Sequence, residues 1–131
     1  AQRDIAEALI SGRERLYVES FIRARAFNPT AITDDEIQTY ADMMAAPGCL
    51  RGGLEQYRTF AQDAEANKEL AARKLDIPTL GIGGDRLGPV LQGIMAAIAE
   101  NGSAVTIENC GHWVIAEQTD ALIEKLTEFL S

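Results

Sequence analysis

Apolar positions recur at helical spacing through the first part of the chain, then change after Asp76 to short continuous runs. Leu16, Tyr17, Phe21 and Ile22 keep the helical period behind Gly12, and Asn28-Pro29 breaks it. Thr33-Asp34-Asp35-Glu36 spells a capping box, with Thr33 at the N-cap and Glu36 three residues on. The helix it opens carries Ile37, Tyr40, Ala41 and Met44 on one side and is ended by Pro47-Gly48. Leu54, Tyr57, Phe60 and Ala61 predict a third long helix that runs into a charged stretch ending near Lys74.

The second part reads differently. Ile77-Pro78-Thr79-Leu80-Gly81-Ile82 is a short apolar run closed by Gly83-Gly84, a buried strand and a turn, with Pro78 at its start. Pro89 to Glu100 predicts a helix with Leu91, Ile94, Met95 and Ile98 on one face. Asn101-Gly102 is a turn and Ala104-Val105-Thr106-Ile107 a second strand. Leu122, Ile123, Leu126, Phe129 and Leu130 form the inner face of a final helix. Strand–helix–strand–helix is the signature of a parallel sheet, so the fold class is α/β. A parallel sheet needs several strands with helices on both faces, and two short strands are too few. The pattern therefore predicts that most of the sheet lies on sequence outside this chain.

Composition narrows the function classes. The chain has 131 residues, 47% hydrophobic and 24% charged, which suits one globular domain and not a disordered or low-complexity segment. Its net charge of −8 argues against nucleic acid and anionic lipid as partners, since both select a basic face. No apolar run reaches the roughly 20 residues of a membrane span, and no signal segment opens the chain. Cys49 and Cys110 stand far apart and form no zinc-type cluster, which points to reduced thiols and a cytoplasmic location. Self-association into a homo-oligomer stays open.

Two loops carry chemistry. Gly81-Ile82-Gly83-Gly84-Asp85-Arg86-Leu87-Gly88-Pro89 joins a strand to a helix, the place of a phosphate cradle. A dinucleotide fingerprint needs glycine where Arg86 stands, however, and a P-loop needs Lys-Ser/Thr where Pro89-Val90 stands. What the loop presents is Asp85, at a strand's C-terminal end where α/β ligands bind. The other reading of Asp85 is a turn residue bonding its own backbone. The second loop, Asn109-Cys110-Gly111-His112-Trp113, holds the one histidine of the chain, again after a strand. Adjacent parallel strands would set the two loops side by side, and an Asp–His pair is how a general base is oriented. The alternative is a structural loop histidine. Cys110-Gly111-His112 lacks a second donor set for a metal, and Cys110 reads as a small core residue rather than a nucleophile.

Ile77-Pro78-Thr79-Leu80 through Gly84-Asp85, Asn109 to Trp113, Glu117-Gln118 and the closing Phe129-Leu130 together resemble the C-terminal end of α/β-hydrolase-fold enzymes. The group they resemble is the epoxide hydrolases with their haloalkane and haloacid dehalogenase relatives. The resemblance covers the whole chain. Residues 1–74 look like the latter part of a helical cap, and residues 75–131 like the last two strands and helices of the core. Gly52-Gly53-Leu54-Glu55-Gln56-Tyr57-Arg58 is similar to the cap helix that carries a ring-opening tyrosine.

The resemblance implies roles. His112 would be the base that activates water, Asp85 its acidic partner, and Tyr57 the donor of a proton to the epoxide oxygen or of a hydrogen bond to a departing halide. Packing is the other reading of Tyr57, and Tyr17 and Tyr40 are further candidates for the donor. In the group an aspartate nucleophile forms an alkyl-enzyme ester that the activated water hydrolyses. That nucleophile, its elbow and the oxyanion loop have no counterpart here, so the isolated chain is expected to be inactive. Its partners would be a small-molecule epoxide, halide or ester and the missing N-terminal core, with no cofactor. Some members take the acidic partner from an earlier strand, which bears on Asp85. A dehalogenase or esterase is the near alternative. A non-catalytic interaction module, or a hydrolase relative that only binds ligand, is the alternative from another class.

Overall fold

The capping box forms in full. Glu36 donates its amide to Thr33 Oγ1 at 3.3 Å, and the Glu36 carboxylate accepts the Thr33 amide at 2.8 Å. The Thr33 hydroxyl, which donates to the Glu36 carboxylate at 2.7 Å, and then the Thr33 amide hold the Glu36 carboxyl below the usual range. The computed structural model describes residues 4–131. Its helical part comprises α1 (Ile5–Ile10), α2 (Glu14–Arg23), α3 (Asp34–Ala45), α4 (Cys49–Arg58) and α5 (Phe60–Leu70). The remainder is β1 (Thr79–Gly83), α6 (Gly88–Ile98), β2 (Gly102–Thr106), the short α7 (Val114–Glu117) and α8 (Thr119–Leu130). β1 and β2 pair in parallel, in register from Thr79 opposite Gly102 to Gly83 opposite Thr106. The crossover α6 packs on both strands, as a parallel pair requires.

Val18, Ile22, Ile32, Ile37 and Ala41 form a buried cluster between α2 and α3. Tyr17, Met44 and Trp113 pack against it. Trp113 comes from beyond β2, so the helical part and the strand-bearing part share this core. Ile37 is fully buried, as the capping-box helix predicts. An ion pair between Arg23 and Asp34 also joins α2 to α3.

Three expectations need correction. The third long helix is two, divided at Thr59, and the second ends at Leu70 rather than near Lys74. Thr59 Oγ1 has the Gln56 carbonyl and the Asp63 carboxylate both at 2.9 Å and can donate its one hydrogen to either, the local competition that a hydroxyl brings to a helix. α5 buries no residue that would hold a longer helix in place. On α6, Leu91 and Met95 are buried while Ile94 and Ile98 are open. The apolar face of α8 is also uncovered. No residue of α8 is buried, because the helix packs on α7 and no further layer lies across it among the described residues. No helix of the described residues is long and apolar enough to cross a membrane.

Removing the buried side chain at the centre of the cluster should be costly. Ile37→Ala is expected to lower unfolding free energy in urea titrations by about 2–4 kcal/mol. Ile123→Ala, on the open face of α8, should shift it by no more than about 0.5 kcal/mol.

Candidate active site

The parallel register brings the β1–α6 and β2–α7 loops together at one edge. Beyond the paired strands the Ile107 amide donates to the Gly83 carbonyl at 2.9 Å, and the Asp85 amide donates to the Cys110 carbonyl at 2.9 Å. Gly84 sits where the loops touch. A Cβ there would collide with the carbonyl oxygens of Cys110 and Gly111, so only glycine lets the two backbones approach. The chain then turns tightly into α6, with the Gly88 amide donating to the Gly84 carbonyl at 2.8 Å. Asn109 adopts φ 54°, a left-handed conformation that asparagine tolerates, and starts the second loop. Its carbonyl accepts Gln118 Nε2 at 3.1 Å.

The second loop is also fastened to the segment after α2. The His112 amide donates to the Arg25 carbonyl at 2.8 Å, and Trp113 Nε1 donates to the Ile22 carbonyl at 2.9 Å. A Cβ on Gly111 would strike Arg25 O and Phe27 N. Glu117, at the end of α7, spans the seam. Its Oε1 accepts the amides of Gly111 and Trp113, both at 3.1 Å. Its Oε2 accepts the amides of Phe27 at 2.6 Å and Asn28 at 2.9 Å.

Asp85 and His112 thereby line one cavity of about 420 Å³, with Arg25, Arg86, Phe27 and Gly111 in its walls. Both residues are exposed, and no hydrogen bond joins their side chains. The Asp85 carboxylate does not bond its own turn. The His112 ring meets the Trp113 ring edge-on, with centroids 4.8 Å apart. Cys110 is buried, and burial first, then the charges of Glu117 and Asp85, push its thiol upward, which keeps it protonated. Cys49 is unpaired and exposed.

Tyr57 lies elsewhere. It lines a second cavity of about 370 Å³ between the helices, with Tyr17, Tyr40, Phe21, Met44, Leu54 and Trp113 among the lining residues, and no charged side chain faces it. Tyr57 is 54% exposed and its ring stands 5.3 Å from Phe60, so it is not a core residue. Trp113 borders this cavity and is joined by sequence to His112 of the other. The structure thus brings Asp85 and His112 to one cavity and sets Tyr57 in another. Next to Tyr57, Arg58 pairs with Glu7 of α1 at 2.8 Å and with Glu55, also at 2.8 Å.

The fold of this chain is that of a segment of an α/β hydrolase. A structure of Cfl2 from Burkholderia cenocepacia superposes on 98% of the chain with TM-score 0.90 and 34% identity, using 44% of its own length. The similarity within that fold is to epoxide hydrolases. The structure of the epoxide hydrolase CorEH matches 98% of the chain with TM-score 0.89 and 30% identity, over 46% of its length. The soluble epoxide hydrolase of Corynebacterium sp. (strain C12) is 30% identical over 130 residues, 98% of this chain and 46% of that protein. The chain therefore spans under half the length of these relatives. No protein-family model matches it.

Glu117 and Trp113 are the residues for which sequence reasoning assigned no role. The one local signal was an acid one turn after the histidine loop, placed to reach back to the amides that open a helix. Its partners at Phe27 and Asn28 have no signal in local sequence.

Two outcomes follow from this geometry. Gly84→Ala should force the loops apart and destabilise the fold by about 1–3 kcal/mol in denaturant titrations, well beyond the same change at Gly93, whose surroundings are open. The Arg58 side chain holds the Glu7 carboxyl at about 2, against 4.5 unperturbed. A depressed folded value means that this pair stabilises fully above pH 4.5 and is lost as pH falls towards 2. Thermal melts across that window should show a smaller decline for Glu7→Gln than for the unsubstituted protein.

Proposed function

We propose that this chain is the C-terminal part of an epoxide hydrolase, with residues 1–74 forming the late part of its helical cap and residues 75–131 the last two strands and helices of its core. The observation that carries this reading is the meeting of the Asp85 and His112 loops on one cavity, beside the apolar cavity lined by Tyr57. The uncharged lining of the second cavity suits the hydrocarbon part of a neutral epoxide. The open faces of the sheet and of α8 suit the N-terminal core of the same enzyme, and two unpaired thiols suit a cytoplasmic location.

In this reading a carboxylate from the N-terminal core attacks an epoxide carbon. Tyr57 donates its phenolic proton to the ring oxygen as the C–O bond breaks, so the leaving group departs as an alcohol rather than an alkoxide. His112 then takes a proton from water, whose oxygen adds to the ester carbonyl. The acyl–oxygen bond breaks, the diol leaves with that proton, and the carboxylic acid so formed gives up the second water proton, which restores the Tyr57 phenol and the attacking carboxylate. Asp85 balances the imidazolium that forms between these steps. Tyr17 and Tyr40 face the same cavity as Tyr57 and stand as the second donors to test.

The test uses the full-length enzyme and a panel of neutral epoxides. His112→Ala should lower diol formation by about 10²–10⁴-fold while one equivalent of epoxide stays bound as ester, seen by intact-protein mass spectrometry. Tyr57→Phe should slow ring opening by about 10²-fold without ester accumulation. Halide release from haloalkanes in place of diol formation would move the enzyme to the dehalogenases, and full activity of His112→Ala would remove the base assignment.

A further inference from the structure

The geometry points to Glu117 as a positioning residue for His112: its carboxylate gathers four backbone amides, two flanking the histidine and two in the segment after α2, and so holds the water-activating loop against the helical part. This inference rests on the epoxide hydrolase reading of the site.

The four contacts differ from ordinary capping. Oε1 takes Gly111 N and Trp113 N, the residues on either side of His112, at 3.1 Å each. Oε2 takes Phe27 N and Asn28 N, at 2.6 and 2.9 Å, from a segment some ninety residues earlier. The His112 amide between them goes to Arg25 O at 2.8 Å. The imidazole makes no hydrogen bond among the described residues and meets the Trp113 ring edge-on. With no hydrogen bond to the ring, its place in the cavity follows the position of its backbone. That backbone is set by Glu117 below and by the Gly84 contact above.

Only a carboxylate satisfies the arrangement. All four partners are N–H donors, and each carboxylate oxygen accepts two. Glutamine has one acceptor oxygen. Its amide group would face two donors with donors of its own, so one half of the seam must open. Aspartate keeps both oxygens but is one methylene short. A displacement of about 1 Å at a catalytic group costs on the order of 10²-fold in rate.

The step affected is specific. Glu117 makes no hydrogen bond to α4, which carries Tyr57, so ring opening is expected to proceed, whereas hydrolysis of the ester waits on the misplaced base. In the full-length enzyme Glu117→Gln should therefore lower kcat by roughly 10- to 100-fold. KM should fall with it, so that kcat/KM stays within about twofold, and alkyl-enzyme ester should accumulate in the steady state. Glu117→Asp should give a smaller fall of the same kind. A general loosening of the fold would lower kcat/KM as well and leave no ester, and that result would overturn the proposal. So would unchanged kcat in Glu117→Gln, or failure of both variants to fold, which would assign the carboxylate to the fold alone. Absence of epoxide turnover in the unsubstituted enzyme would overturn the functional reading itself, and this inference with it. Normal turnover there with an unaffected Glu117→Gln removes this inference only.

Discussion

Four amides that belong to no helix ladder and no sheet converge on the Glu117 carboxylate, and the relation between the helical and the strand-bearing parts turns on that convergence. A charge-assisted hydrogen bond contributes about 1.5–3 kcal/mol when its partner would otherwise be left unpaired in a half-buried place. The four are not additive: the amides of Gly111 and Trp113 are partly buried, whereas those of Phe27 and Asn28 are exposed and would turn to water. Trp113 adds an apolar contact to the same junction. Its ring packs on the buried cluster of α2 and α3 while its indole N–H is satisfied by the Ile22 carbonyl. One short segment, Gly111 to Glu117, thus supplies the site's histidine, the anchor into the helical core and the acceptor that ties them.

The two cavities follow from this construction. The first opens where two parallel strands end, bounded by the segment that Glu117 fastens. The second lies between helices and is almost wholly apolar, with three tyrosines and Gln56 among its lining residues. Trp113 lines the second, and its sequence neighbour His112 lines the first. In the proposed reading, the step that creates an imidazolium and the seat for hydrocarbon would lie in two spaces of different dielectric character. The α1–α4 ion pair of Glu7 with Arg58 holds the helix that presents Tyr57 from the far side.

Much of this was legible in the residues. The capping box at Thr33, the helix behind Gly12, the change of period after Asp76 and the parallel pairing of two short strands all reflect local chemistry. So does the adjacency of the Asp85 and His112 loops, which parallel pairing alone requires. What was not legible depended on distant partners. The helical period runs unbroken through Thr59, and only its hydroxyl contacts show the division into α4 and α5. The apolar stripe of α8 states that a face is to be covered, not by what. Glu117 is one acid among 20, and its partners at Phe27 and Asn28 come from a segment that carries no signal for them. Arg25 to Phe27 form a wall of the site through backbone atoms, which sequence does not distinguish.

The unlike settings of the two thiols give this chain a practical asymmetry. Cys110 is enclosed beneath the histidine loop and kept from ionising, whereas Cys49 stands in solvent at the first turn of the helix that carries Tyr57. A maleimide dye will therefore attach at one place without mutagenesis. From there it can report, as a change in emission, when a molecule enters the tyrosine-lined space.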